Sequence, residues 1–133
     1  MAQNLQGVFQ IINWEEESHQ EFEQGGKQSH AKISQSYTGD ISGSSSLQYL
    51  MNYTEEGKAS FVGYETIAAT LLGKTGQLVL KHEGIFENGV ASSNFIIITA
   101  NASDELVGIS GTGSFTSIEG GKAEYCMEIN FSD

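Results

Sequence analysis

The stretch KAEYCMEINF, residues 122–131, decides the fold class of this chain. Its apolar residues recur at every second position, with Glu, Cys or Asn between them. Successive side chains of a β-strand point to opposite faces, so this period predicts a strand with one buried and one exposed face. A strand of this kind needs neighbouring strands that alternate in the same way.

Seven further strand-like runs precede this one, separated by Gly, Asn, Asp or Ser. No window of helical length shows a three-to-four spacing, and the acidic segment 15–24 is predicted to be a strand end followed by a loop. The sequence thus predicts an all-β fold. The seven runs cover residues 7–17, 28–41, 46–54, 59–72, 77–87, 90–100 and 106–117.

Eight strands in simple hairpin order fit either a sandwich or a closed barrel. Long strands and the need to avoid exposed edges favour an eight-stranded antiparallel up-and-down barrel, with the first strand paired to the eighth. A barrel of eight strands is filled by side chains or holds one small ligand. The length of 133 residues predicts one domain over residues 1–133.

The composition limits the classes of function. The net charge is -11 and the sequence contains no Arg, so binding to nucleic acid is not expected. No stretch reaches the length of a transmembrane helix, so no membrane partner is expected. The single cysteine, Cys126, cannot form an intramolecular disulfide, and no signal peptide is visible. These features predict a cytoplasmic protein.

Several blocks of the sequence together resemble a known bacterial family. The central blocks are Phe61-Val62-Gly63-Tyr64-Glu65 and residues 78–84, LVLKHEG; residues 49–51 and 105–111 and an early Trp14 accompany them. In this order and spacing they resemble domain-of-unknown-function family 3224, whose members are similar in fold to the allene oxide cyclase barrel. The resemblance implies a calycin-like barrel whose lumen takes a small apolar molecule.

One acid and one imidazole fall on inward-facing positions of the fourth and fifth strands. Glu65 shares its face with Phe61 and Ile67, while His82 alternates with Lys81 and Glu83, which need water. Closing the hairpin at residues 74–75 predicts that Ile67 lies opposite His82 and Gly84 opposite Glu65. The two side chains then become diagonal neighbours within reach of each other.

Two interpretations of this pair remain open. A buried ionisable pair is costly unless it is satisfied internally, so Glu65 is a candidate general base or stabiliser of a developing cation, with His82 as its proton partner. The alternative is a structural hydrogen-bonded pair that fixes the register of the hairpin. Gly63 and Gly84 flank the pair and leave room for a ligand or for a kink in the strand.

Aromatic residues form the second candidate site. They are candidates to line a pocket for an apolar or aromatic ligand, or else simply to fill the core. The remaining histidines, His19 and His30, match no known metal-ligand spacing with the nearby acids, so neither a metal site nor a cofactor is expected. The candidate ligand-binding residues are Trp14, Tyr49, Tyr53, Phe61, Phe86 and Tyr125.

Three functions therefore stay open at the level of the sequence. The first is a module that binds a small apolar molecule in the barrel lumen, and the second an isomerase or cyclase that uses Glu65 and His82. The third is a structural or assembly protein with a filled core. The run Phe95-Ile96-Ile97-Ile98 is apolar on both faces, which predicts an outward-facing set that seeks a partner and hence a homo-oligomer.

Overall fold

A computed structural model describes residues 2–55 and 57–132 and folds them into eight antiparallel strands that close into a barrel. Each strand is hydrogen-bonded to the next one in the chain, which confirms the predicted up-and-down topology. The strands are β1 (Gln3–Glu21), β2 (Lys27–Gly39), β3 (Ile41–Glu55), β4 (Lys58–Leu71), β5 (Lys74–Glu87), β6 (Val90–Ile97), β7 (Ile109–Ile118) and β8 (Lys122–Phe131).

The barrel closes where β1 pairs with β8. The register runs from Gln3 opposite Ile129 to Gln10 opposite Lys122, so the predicted pairing of the first and eighth strands is confirmed. Closure leaves no long edge for the alternating strand β8, whose apolar face is buried as predicted. Every strand contributes inward-facing side chains to one shared core.

Strand β1 carries a bulge that the sequence did not reveal. Ile11 lies opposite Gln35 and Asn13 opposite Ser34, so Ile12 is an extra residue without a partner on β2. A bulge shifts the alternation by one position. Odd-numbered residues such as Phe9 therefore face inward before Ile12, whereas Trp14 and Glu16 face inward after it, opposite buried residues of β2.

The turn between β4 and β5 corrects the predicted register. Leu71 pairs with Lys74, so the loop consists of Leu72 and Gly73, with φ values of 51° and 74°. The expected closure at residues 74–75 was wrong because Leu is not a residue that signals a left-handed turn. Glu65 consequently lies opposite Leu80, and His82 opposite Gly63, although the two side chains remain diagonal neighbours.

One end of the barrel is sealed by the connection between β6 and β7. This segment contains two short 3-10 turns, Thr99–Asn101 and Asp104–Leu106, where the sequence had predicted the ends of two strands. It is tied to β5 by the Ser103 amide, which donates to the Gln77 carbonyl over 2.9 Å. Leu106 is fully buried and packs over Gly76 of β5.

The outer face of β6 is mixed: Val90 and Ile96 share it with Ser92 and Asn94. Phe95 and Ile97 are buried, while Ile96 is exposed on the outside of the barrel. The homo-oligomer inferred from this arrangement stays a prediction. Among the residues that the structure describes, none of the helical segments has the length and apolar character needed to cross a bilayer.

Candidate functional site

The carboxylate of Glu65 and the imidazole of His82 meet inside the barrel. Both side chains are about 1% exposed, and the distance between Glu65 Oε1 and His82 Nε2 is 2.7 Å. The prediction that both residues point inward and interact is confirmed. The pair lies on the neighbouring strands β4 and β5. His82 is opposite Gly63, and Glu65 is two residues further along β4 on the same face, so its carboxylate reaches the imidazole diagonally.

Hydroxyl groups from three other strands complete this cluster. The second carboxylate oxygen of Glu65 accepts hydrogen bonds from the Tyr37 hydroxyl over 2.6 Å and the Ser45 hydroxyl over 2.7 Å. On the other side, His82 Nδ1 lies 3.0 Å from the hydroxyl of Ser93. The buried pair thus has partners at each of its polar atoms, as a buried ionisable group requires.

Aromatic rings fill the space around the imidazole. The centroids of Phe95 and Phe115 lie 5.1 Å and 5.6 Å from that of His82. The room that the sequence left beside the pair is also occupied. A Cβ atom at Gly63 would lie 2.8 Å from the Tyr49 ring and one at Gly84 would lie 2.5 Å from the Phe61 ring, and each would also collide with a backbone carbonyl of the neighbouring strand. These glycines therefore accommodate aromatic packing.

A cavity of about 260 Å³ lies in the lumen at the end opposite to Leu106. All eight strands contribute to its wall, and its rim includes Gly89, Ile118 and Gly121 at two hairpin turns. Four of the six predicted aromatic residues line this cavity: Trp14, Tyr49, Phe61 and Phe86. Neither Glu65 nor His82 lies among the residues that line it.

The other two predicted aromatic residues, Tyr53 and Tyr125, do not line the cavity. Tyr125 faces the sealed end, where its hydroxyl donates to the Thr38 carbonyl over 2.9 Å and accepts from the Ile41 amide over 3.0 Å. It thereby holds the turn between β2 and β3. Tyr53 belongs to a polar cluster at the open end, where its hydroxyl donates to Glu16 Oε2 over 2.8 Å.

Glu16 is the centre of that second polar cluster. Its carboxylate also accepts hydrogen bonds from the Ser29 hydroxyl and from the Trp14 indole, the latter over 3.0 Å. Partial burial raises the pKa of Glu16, but these hydrogen bonds and the charge of Lys27 outweigh burial and lower it below 4.5. Burial and the contact with Glu16 raise the pKa of Tyr53 to about 12.

Two further polar groups are buried in the lumen without a partner among the described residues: the hydroxyl of Tyr49 and the amide oxygen of Gln35. Both residues line the cavity. Gln35 was not predicted from the sequence, although it lies between Ile33 and Tyr37 on the inward-facing positions of β2. Glu16 was not predicted either, because the bulge at Ile12 reverses the alternation and leaves no signal for it in the sequence.

The described residues contain no group of three His, Cys, Asp or Glu side chains placed to hold a metal ion. Cys126 is exposed on the outer face of β8, with its sulfur 3.7 Å from the hydroxyl of Ser114.

Comparisons with known proteins agree with this architecture. The model of the family described as "Protein of unknown function (DUF3224)" matches residues 5–129. A crystal structure of a protein of unknown function from the same family, from Shewanella oneidensis MR-1, superposes with a TM-score of 0.79. The alignment covers 100% of this chain and 99% of that one at 22% identity, which shows a shared fold. None of the curated proteins compared with the chain matches it.

Proposed function

Because this chain belongs to the DUF3224 family, whose description names no activity, we propose its function from its own lumen: it binds a small, largely apolar molecule in the open end of the barrel. The observation that carries this proposal is the cavity of about 260 Å³, to whose wall all eight strands contribute. Ligand sites are concave, mostly apolar and equipped with few polar groups.

The wall of the cavity supports an apolar ligand. Aromatic rings of Phe9, Phe61 and Phe115 line it together with Met51, and Trp14 stands at its rim. Trp14 is 42% exposed, which is high for a large aromatic side chain on an inward-facing position. A ligand that enters the cavity would cover part of the indole, so this arrangement suits binding better than core packing alone.

The position of the Glu65–His82 pair favours binding over catalysis. An enzyme that used the pair would need it within reach of the bound molecule, but the residues that line the cavity do not include either one. The carboxylate is engaged by Tyr37 and Ser45 as well as by His82. A structural role for the pair therefore accounts for its contacts, and isomerase or cyclase chemistry remains the alternative.

A filled core, the third function considered, fits only the sealed end. Leu106, Ile109 and Ile129 are fully buried there. The opposite end retains a cavity of about 260 Å³, close to the lower limit of roughly 300 Å³ for ligand pockets. The proposal therefore places the ligand at one end and the stabilising core at the other.

The test uses cumene, an apolar molecule of suitable size. Titration of the wild-type protein should change the fluorescence of Trp14, which is the single tryptophan of the chain. It should also shift the NMR signals of residues at the open end while leaving those around Leu106 unchanged. Absence of both changes at saturating cumene would contradict the proposal.

A pair of matched variants tests the location of the site. Ala91 lines the cavity, so Ala91→Phe should fill it and abolish cumene binding. Ala68 is exposed on the outer face of β4, and Ala68→Phe should bind cumene as the wild type does. Cumene binding that persists in a folded Ala91→Phe variant would place the site elsewhere.

A further inference from the structure

Two unpartnered polar atoms give the cavity a specific chemistry. Tyr49 and Gln35 are each 4% exposed and both line the cavity, yet the Tyr49 hydroxyl and the Gln35 amide oxygen have no hydrogen-bond partner among the described residues. Buried polar groups in proteins almost always have a partner. The neighbouring lumen follows this rule, since Tyr37 and Ser45 both donate to Glu65.

We infer that the lumen recognises an uncharged molecule whose inner end both accepts and donates a hydrogen bond, as a carboxamide does, while the rest of the molecule is apolar. The Tyr49 hydroxyl donates to the acceptor of this group, and the Gln35 amide oxygen accepts from its donor. This inference rests on the proposed function, because it specifies the ligand of the same cavity.

The charges around the cavity argue against an anionic ligand. Among the described residues that line it, Lys122 at the rim is the only cationic one, and no Arg occurs in the sequence. Burial, followed by the negative charge of Glu65, raises the pKa of Tyr49 well above 10. The burial that keeps this hydroxyl protonated would equally penalise the charge of a carboxylate placed against it.

A permanent cation is disfavoured for a different reason. Residues that line the cavity include no described carboxylate, so a buried cation there would lose its hydration without gaining a direct counter-ion. A cation would also offer donors only, whereas the Tyr49 hydroxyl, as the donor beside the Gln35 acceptor, needs an acceptor on the ligand. A neutral group that offers one acceptor and one donor satisfies both side chains.

The volume limits the size of the ligand. With about 30 Å³ for each water-sized group, a cavity of about 260 Å³ holds roughly nine non-hydrogen atoms. Benzamide, acetophenone, cumene, benzoate and benzamidine each have about nine non-hydrogen atoms, so they form a series of equal size. Benzamide has the acceptor and the donor, acetophenone has the acceptor alone, and cumene has neither.

The experiment measures dissociation constants for this series through Trp14 fluorescence in the wild type and three variants. Tyr49→Phe removes the donor, Gln35→Met removes the whole side-chain amide, and Tyr64→Phe makes the same aromatic change at an exposed position on the outer face. Since one hydrogen bond changes affinity by about 2- to 10-fold, Tyr49→Phe should weaken benzamide and acetophenone by that factor without weakening cumene, which makes no hydrogen bond to the hydroxyl.

Gln35→Met should weaken benzamide by a similar factor and weaken acetophenone less, because acetophenone has no N–H to donate to the Gln35 oxygen. Tyr64→Phe should change none of the constants. Benzoate and benzamidine should bind at least 10-fold more weakly than benzamide to the wild type. Cumene affinity that is not weakened in the Tyr49 and Gln35 variants shows that the cavity itself is intact.

The two proposals fail in different ways. Tyr49→Phe and Gln35→Met variants that bind benzamide as tightly as the wild type would overturn the inference and leave the proposed function standing. Tighter binding of benzoate or benzamidine than of benzamide would overturn it as well. A wild-type protein that does not bind cumene would overturn the proposed function, and with it the inference, which rests on that function.

Discussion

At the scale of single residues, Glu65 illustrates how a buried carboxylate is kept in a small core. It is held by His82, Tyr37 and Ser45, which come from three other strands, so the network links half of the barrel around one side chain. Glu65→Gln puts an amide NH₂ where one of these donors now meets an acceptor. Removing one member of a buried pair costs about 3–5 kcal/mol.

We therefore expect Glu65→Gln to lower the free energy of unfolding, measured in urea, by about 3–5 kcal/mol. Cumene binding to the folded variant should be retained. Glu83→Gln provides the control, because Glu83 is exposed on β5 and its substitution should change stability by less than about 0.5 kcal/mol. If Glu65→Gln keeps its stability but loses binding or turnover, the pair has a functional role instead.

The pKa of Glu16 predicts a dependence of stability on pH. Because its folded pKa lies below 4.5, the unfolded chain binds the proton more tightly than the folded one. The stabilisation is therefore fully present above pH 4.5 and is lost as the pH falls through the folded pKa. Melting temperatures of the wild type and Glu16→Gln should differ at neutral pH and converge below pH 4.5.

Glu17→Gln is the matched control for this pH series. Glu17 is the next residue on β1 but is exposed on the outer face, so its substitution should leave the melting temperature close to that of the wild type across the same range. A difference between the wild type and Glu16→Gln that stays constant down to the acid limit would show that the hydrogen bonds, and not the charge, are what Glu16 contributes.

At the scale of elements, two hairpins have the same turn geometry but different residues at the first turn position, so exchanging these residues tests the cost of the turn. Leu72-Gly73 joins β4 to β5, and Asn88-Gly89 joins β5 to β6, each with positive φ at both positions. A left-handed conformation costs most L-residues roughly 1–2 kcal/mol, but Asn adopts it readily. The first hairpin thus carries strain that the second avoids.

Leu72→Asn should consequently raise the free energy of unfolding by about 0.5–1 kcal/mol, and Asn88→Leu should lower it by a similar amount. Leu72 is exposed, so little apolar burial is lost in the first exchange. Urea denaturation of both variants measures the two effects. Loss of stability in Leu72→Asn would mean that the leucine side chain makes a stabilising contact in the turn.

The same turn shows what could be inferred from the sequence at this scale. Clean alternation in β3, β4, β5 and β8 placed the inward-facing residues correctly, including Glu65 and His82. Register depends on which residues form the turn, and Leu72 gives no signal of a left-handed conformation. Likewise, the bulge at Ile12 arises from pairing with β2, so local alternation could not place Trp14 or Glu16.

At the scale of the whole molecule, the proposed function assigns ligand binding to one end of the barrel and stability to the other. The sealed end holds fully buried aliphatic residues under the β6–β7 connection, with Leu106 packed against β5. The open end keeps the cavity, the exposed Trp14 and the unpartnered Tyr49 and Gln35. Binding sites are commonly less stable than the core that supports them.

This division predicts opposite outcomes for substitutions at the two ends. Leu106→Ala leaves a void in the sealed end and should lower the free energy of unfolding by about 2–5 kcal/mol, without a change in cumene affinity. Val107→Ala is the control, because Val107 is 65% exposed and its truncation should cost less than about 0.5 kcal/mol. Ala91→Phe, at the open end, should instead abolish binding and leave the protein folded. If Leu106→Ala weakens cumene binding as strongly as it lowers stability, the two ends are coupled through the core and the lumen acts as one unit.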